Sequence, residues 1–544
     1  MSRSRWGWIA FGLGAGWLWG IASGLAALGG PGLALAAGLL ALGLALPVLG
    51  GLRGRRSWRW AWPRAGALAL LAAALPAAVA YGGQGARPPL AYAGLALTYA
   101  LLQGPAWALG RAARGRWRAA LTLLAGLALI AVLLAGPYFY GLGLLPFPRG
   151  SRWDAYQRLW ANLERFYAYW DQAPVTPADL KARYADPVRA ADAACRGRPG
   201  PCEPYRQALR AMLAELQDGH TRFEPNAPLV YPRVAVRRIE GQAVIVWVAE
   251  GSDAAAQGLK PGMVIRAVDG APVAEALERV PPEWTAFAAA HTREEYAYRH
   301  LLLGPPGTQV TLTVADADGT PRTVTLTREP WTGPSDWQPV EGRRLDDGWG
   351  YIAVRTLSTG QVVPAFDRLL DDLAAAPGLI LDLRNNGGGN SLWGDRMVAR
   401  LLTEPVTYGR ECFRAPHPLH FWSTGCHDLR VEPRGPAYTG PVAVLVNTGV
   451  HSSAEWMTAA LCTTGRARCF GRPTAGNTGN PVLFFVPDGQ VRFSTGRFYL
   501  PDGNLLNGQG IWPHEAVAWT IEDVRTGHDP DLAAARAWLA TQTK

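Results

Sequence analysis

The sequence predicts a multi-domain chain: an α-helical transmembrane bundle, then a helical lead-in, a small β domain and an α/β core. Three observations carry this. A length of 544 residues exceeds one ordinary domain. Five apolar runs, each close to the ~20 residues that cross a bilayer as a helix, occupy the first 145 residues. After residue 340, short continuous apolar segments alternate with helix-period segments, the pattern of buried strands in an α/β sheet.

The apolar runs are roughly 6–28, 33–52, 65–82, 89–109 and 119–140. Several comparable stretches follow the first, so it does not read as a cleaved signal peptide before a soluble protein. The chain carries a formal net charge of +10, and the charge is unevenly placed. Residues 1–150 contain 13 Arg and no Lys, Asp or Glu, whereas the remainder holds 40 basic and 43 acidic residues. The basic excess is therefore a topology signal rather than a nucleic-acid footprint. Arg3 and Arg5 precede the first run; Arg53, Arg55, Arg56, Arg59 and Arg64 separate the second and third; Arg111, Arg114, Arg116 and Arg118 separate the fourth and fifth. The alternate loops carry no basic residue or only Arg87. Basic loops stay in the cytoplasm, so the N-terminus is expected inside and everything after residue 145 outside, across the cytoplasmic (inner) membrane. Gly12, Gly16, Gly20 and Gly24 line one helix face, suited to packing within the bundle or to an oligomer seam. No run contains a charged residue, which argues against ion or proton transport.

All six cysteines follow residue 150, as near neighbours: Cys195 with Cys202, Cys412 with Cys426, Cys462 with Cys469. An even number confined to the outer part fits three disulfides in an oxidising compartment. Cys412, His417, His420, Cys426 and His427 are also crowded enough for a zinc site, but their spacing fits no standard pair of ligand knuckles, and a disulfide-closed loop is the expectation. No metal and no cofactor is expected.

Residues 150–228 read as helical, with Leu159, Leu163, Phe166 and Trp170, then Leu209, Leu213 and Leu216, at three- and four-residue spacing. Residues 229–330 shift to short strands at 244–248, 264–268, 310–314 and 323–326. Between the first two, Gly251-Ser252-Asp253-Ala254 through Lys260-Pro261-Gly262-Met263, leading to Val268-Asp269-Gly270, resembles the core of a PDZ domain. Residues 340–530 form the α/β part, with strands at 350–354, 379–383 and 442–446 and a helix at 366–373; residues 531–544 form a C-terminal helix. Two strands run into chemistry-bearing turns: Arg384-Asn385-Asn386-Gly387-Gly388-Gly389, and Asn447-Thr448-Gly449-Val450-His451-Ser452-Ser453-Ala454-Glu455. Ligands bind at the carboxyl ends of such strands.

Ser452-x-x-Glu455 is a capping box, which by itself only begins a helix. The same position exposes a hydroxyl where a helix N-terminus favours developing negative charge. Three consecutive glycines leave backbone N–H groups unshielded, so one can face an oxyanion.

From about 150 to 530 these motifs, with Gly471-Arg472-Pro473-Thr474-Ala475-Gly476 and Gly508-Gln509-Gly510-Ile511-Trp512-Pro513, resemble the tail-specific (C-terminal processing) serine proteases. The resemblance implies a ClpP/crotonase-like α/β core and a serine endopeptidase acting near C-termini or in unfolded tails. It places Ser452 as nucleophile and Gly388 with Ser453 N–H as oxyanion hole. One branch of the family pairs its serine with a lysine in T-F-G-K; here the stretch ends Thr474-Ala475-Gly476-Asn477, and none of the three lysines aligns with it. Histidine becomes the expected base. Of nine histidines, His220 in Asp218-Gly219-His220-Thr221 matches the D-x-H-T segment of the tricorn-like branch. His451 adjoins Ser452 but neighbouring side chains at a turn usually diverge. Asn507 stands where that branch has a glutamate, so Asp218, Asn507 and Glu455 remain candidates to orient His220. Expected partners are a protein or peptide substrate and the lipid bilayer, with no nucleic acid. The alternative is a non-catalytic peptide- or lipid-binding scaffold on the same fold.

Overall fold

The computed structural model describes residues 150–197, 200–330, 337–415 and 425–542, all within Pro148–Lys544, the second of the two units into which the chain divides. The five apolar runs, the glycine repeat and the arginine clusters of residues 1–145 lie outside the described residues, as do His417 and His420. No helix among the described residues is long and apolar enough to cross a membrane.

Three helices open the unit: α1 (Arg152–Phe166), α2 (Pro177–Ala194) and α3 (Glu203–Ala214). Ser151 and Asp154 form a reciprocal capping box at the start of α1, satisfying two otherwise orphaned N–H groups. Leu159, Leu163 and Phe166 form its buried stripe. Pro177 begins α2, where a missing N–H is harmless, and the Cys195–Cys202 disulfide closes the α2–α3 connection. The chain then leaves α3 through a turn containing His220 into the short strand β1 (Arg222–Glu224).

A small antiparallel β domain follows: β2 (Val234–Ile239), β3 (Gln242–Val248), α4 (Asp253–Ala256), β4 (Val264–Val268), β5 (Ala271–Pro272), α5 (Val273–Glu278), α6 (Ala290–Arg299), β6 (Gln309–Ala315) and β7 (Pro321–Thr327). The strand order is β2-β3-β4-β6-β7, with β5 paired to β4. Ser252 caps α4 by accepting Ala255 N–H at 3.1 Å. Ile245, Ile265, Val310, Leu312 and Leu326 fill the core.

The α/β core comprises β8 (Val340–Arg344), β9 (Gly350–Val354), α7 (Val362–Asp372), β10 (Leu379–Asp382), α8 (Ser391–Val398), β11 (Val406–Phe413), β12 (Gly425–Val431), β13 (Val442–Val446), α9 (Ser453–Thr458), β14 (Arg468–Gly471), β15 (Pro481–Val486), β16 (Gly489–Ser494), β17 (Gly496–Tyr499), β18 (Glu515–Ala516), α10 (Ile521–Thr526) and α11 (Pro530–Gln542). Its main sheet has the order β18-β14-β13-β10-β9-β8, parallel except for β8. Every residue of β9 and β13 is buried because both faces are covered. Ile352, Val354, Leu381, Val444 and Val446 face one layer with Phe366 of α7 and Met457 of α9; Ala353, Ile380, Ala443 and Leu445 face Ala535 and Leu539 of α11. Alternate side chains thus feed two cores.

The helix expected from Phe366 begins four residues earlier, at Val362. Pro364 sits in its first turn, where no intrahelical N–H is needed, so it opens the helix instead of stopping it. The helix after Ser452 ends at Thr458 and widens into a π turn, Ala459–Thr463. All three disulfides join the sequence neighbours. Cys412 and Cys426 cross-link β11 to β12, so neither sulfur is available as a thiolate zinc ligand. No group able to hold a metal ion occurs among the described residues.

Candidate active site

The parallel strands β10 and β13 are hydrogen-bonded neighbours, so their carboxyl ends deliver the two motif turns side by side. Beyond Val446 the chain turns through Asn447 to His451 and reaches Ser452 at φ 54°, ψ −126°. A non-glycine residue in that region is strained, and such strain is held only where surrounding bonds over-determine the backbone. Here the Ser452 N–H donates to Asn477 O at 3.0 Å and to Glu455 Oε2 at 3.2 Å.

Glu455 is wholly buried and organises the turn beneath the serine. Its Oε1 accepts the Thr474 hydroxyl and the Gly476 N–H, both at 2.7 Å, and its Oε2 accepts Asn477 N–H at 3.0 Å. Burial pushes its carboxyl up to about 7 in spite of these donors.

At the other turn, Gly388 has φ +86°, and a Cβ there would lie 2.9 Å from Ser452 Cβ and 3.0 Å from Ser453 N. Only glycine permits this approach. Asn386 shapes the loop: its Nδ2 donates to Val354 O at 2.9 Å, its backbone O accepts His451 N–H at 3.0 Å, and its Oδ1 accepts Gly388 N–H at 2.9 Å. The Gly388 N–H is therefore engaged, whereas Ser453 N–H has no acceptor among the described residues. The Ser453 hydroxyl donates to Gly389 O at 2.7 Å, tying the two turns together.

His220 is buried, 7% exposed, in the turn after α3. Its Nδ1 lies 3.0 Å from Asn477 Oδ1. Burial, reinforced by Arg492 and Arg222, lowers its pKa to about 3, so the imidazole is neutral. No hydrogen bond joins its ring to Ser452 Oγ; both residues are instead fastened to residue 477, one through the amide side chain and the other through the backbone. Asn477 Nδ2 also lies 3.2 Å from His451 Nδ1, and His451 Nε2 lies 2.6 Å from the Tyr296 hydroxyl. Burial holds His451 well below its ordinary pKa, with Arg299 and His220 adding to the shift.

None of the three candidate orienting residues is hydrogen-bonded to the His220 ring. Asp218 accepts the His220 backbone N–H at 3.0 Å and the Thr221 hydroxyl at 2.6 Å. Asn507 donates to Gln172 Oε1 at 3.0 Å. Glu455 is saturated by the turn it supports. The position is taken by Asn477, whose signal lay in the sequence as the residue replacing lysine after Thr474-Ala475-Gly476. Tyr296 carried no motif at all, because α6 belongs to the β domain and meets the site only in three dimensions. From the same domain, Arg237 Nη2 and Arg299 Nη2 reach Asn385 Oδ1 at 2.7 and 3.0 Å.

Arg384, the first residue of the glycine-rich turn, anchors the end of the strand that carries it. It bonds Asp382 through Nη2 at 2.9 Å, Asp529 through Nη2 at 2.8 Å and Asp531 through Nη1 at 3.0 Å, fixing the end of β10 to the start of α11. Burial alone would raise the Asp382 carboxyl, but Arg384 and Arg355 hold it below the ordinary value.

Comparison with known proteins agrees with this architecture. Residues 348–517 match the model of peptidase family S41. The chain is 28% identical over 337 residues to a chloroplastic C-terminal processing peptidase of Tetradesmus obliquus, covering 56% of this chain and 66% of that protein. It is 30% identical over 273 residues to a carboxyl-terminal-processing protease of Synechocystis, covering 49% and 57%. The chain thus spans less than two thirds of the length of these relatives. The solved structure of mature CPAF complexed with lactacystin shares the fold, with TM-score 0.56 and 17% identity over 72% of this chain and 97% of that one. The matched motifs, the sheet that presents them and the sequence relatives together make residues 348–517 similar to peptidase family S41.

Proposed function

We propose that the protein is a membrane-anchored serine endopeptidase that cuts extracytoplasmic polypeptides near C-termini or in unfolded tails by a Ser-His mechanism. The observation that carries the reading is Ser452 itself: a strained φ of 54° at a strand-to-helix turn, pressed against Gly388 and followed by the unengaged N–H of Ser453. Ser452 Oγ attacks the peptide carbonyl while His220 Nε2 takes its proton and later returns it to the leaving amine. Ser453 N–H and Gly388 N–H receive the oxyanion. The Gly388 N–H must exchange its bond to Asn386 Oδ1 for the developing charge, an exchange favoured because an ionised acceptor binds roughly twice as strongly as a neutral one. Apo sites commonly hold their catalytic hydrogen bonds long and tighten them only with substrate.

The β domain of β2–β7 is read as PDZ-like, adding a substrate tail as an extra strand and selecting chain ends. The apolar runs and arginine-rich loops of residues 1–145 support anchoring in the cytoplasmic membrane with Pro148–Lys544 outside, and the three disulfides fit that compartment. The test is fluorophosphonate labelling and hydrolysis of an unfolded polypeptide. Ser452→Ala is expected to lose labelling and to lower kcat by roughly 10⁴- to 10⁶-fold with an unchanged near-UV circular dichroism spectrum. Labelling that persists in that variant removes Ser452 from the mechanism. Lipid co-purifying with an unlabelled wild-type protein supports the scaffold reading.

A further inference from the structure

Asn477 occupies an unusual place in this site. Its backbone O and N serve Ser452 and Glu455, while its side chain lies between two buried imidazoles, His220 and His451. With its Oδ1 toward His220 and its Nδ2 toward His451, the amide sets the direction of the hydrogen bonds. Asn477 Oδ1 can only accept, so His220 Nδ1 must carry the proton and Nε2 must hold a lone pair. Asn477 Nδ2 can only donate, so His451 Nδ1 accepts and its Nε2–H faces the Tyr296 oxygen. A reversed amide would force the proton to Nε2 of His220, where the ring could not accept one from a serine.

We infer that Asn477 is the positioning residue of this peptidase, its amide oxygen turned toward His220 so that the ring is held in the tautomer with Nε2 unprotonated. The assignment rests on the reading of Ser452 as nucleophile and His220 as base. Asp218 does not share the role, since its carboxylate is spent on the His220 backbone and Thr221. The charged and titratable groups that bear on His220 are Asp218, Arg222, Arg492 and His451; no carboxylate is hydrogen-bonded to its ring among the described residues, so a neutral amide does here what a carboxylate does in a Ser-His-Asp triad.

The experiment compares Asn477→Ala and Asn477→Asp in the full-length protein, reading kcat, KM and the pH profile of kcat/KM on a labelled unfolded polypeptide. Truncation to Ala spares the backbone bonds of residue 477. It is expected to lower kcat by roughly 10²- to 10⁴-fold with KM within about threefold. Aspartate still accepts from Nδ1–H, so it is expected to keep kcat within about tenfold of wild type. By adding a negative charge beside the imidazolium it moves the acidic limb to higher pH. Wild-type kcat in Asn477→Ala overturns the assignment. So does an Asp variant as inactive as Ala, with its acidic limb unmoved, since a merely structural side chain gives that result. A wild-type protein that neither hydrolyses the polypeptide nor labels at Ser452 removes the peptidase reading and this assignment with it; Ser452-dependent activity indifferent to Asn477 removes only the assignment.

Discussion

A Cβ on Gly388 would fall 2.9 Å from the Cβ of Ser452, so the glycine and the strained serine define one contact. Gly388→Ala is expected to lower kcat by about 10²- to 10³-fold, the cost of displacing one oxyanion donor, with little change in KM. Steady-state kinetics checks this, and unchanged kcat would show that the N–H of residue 388 takes no part. The histidines make a second prediction at this scale. His220 and His451 are buried neutral, the former lowered to about 3 by burial and neighbouring arginines. Below pH ~6.5 the unfolded chain binds protons at these sites that the folded chain does not. Stability contributed by the neutral rings is therefore complete above pH ~6.5 and is lost as pH falls toward 3. Urea unfolding of wild type and His220→Gln across that interval is expected to show a steeper loss in wild type. Glu455 acts in the opposite sense: its raised pKa favours the folded state at low pH, and that contribution is lost as pH rises through about 7.

Elements are joined by charge where apolar packing ends. Arg384 is the clamp between β10 and α11, and it pairs with Asp382, which is 1% exposed. Removing one partner of a buried pair strands the other charge, at a cost of about 3–5 kcal/mol. Arg384→Ala is expected to lower the urea midpoint accordingly while leaving the far-UV spectrum unchanged below the transition; an unmoved midpoint would mean that the Tyr351 hydroxyl, which donates to Asp382 Oδ2 at 2.7 Å, and the Arg355 guanidinium, 3.5 Å from the same oxygen, suffice for Asp382. Arg384→Lys should not restore stability, because a point-charge ammonium cannot span three carboxylates as the guanidinium fork does. Strand segments such as 350–354 and 442–446 were legible in the sequence because continuous apolar runs of that length need two covered faces. The start of α7 was obscured by Pro364, whose effect depends on which turn it occupies.

For the whole molecule, the testable claim is the anchor. The full-length chain is expected to remain in the membrane pellet through an alkaline carbonate wash, with residues from 148 onward digested by protease added outside intact cells whose outer barrier is opened. Protection of that part would reverse the proposed topology. The uneven arginine distribution supports it, since 13 arginines without a single acidic residue precede position 151.

By itself the sequence determined the buried strands of the α/β core, the disulfide partners and the two turns where chemistry gathers, because apolar period, glycine runs and near-neighbour cysteines are local properties. Only the tertiary structure decided how the site is wired. Asn477, rather than Asp218, Asn507 or Glu455, meets the His220 ring, and Tyr296 of the β domain closes the chain of bonds through His451. Those contacts join residues 220, 296, 451 and 477, and no local pattern encodes a hydrogen bond between positions that meet only when strands and helices from separate parts of the chain pack together.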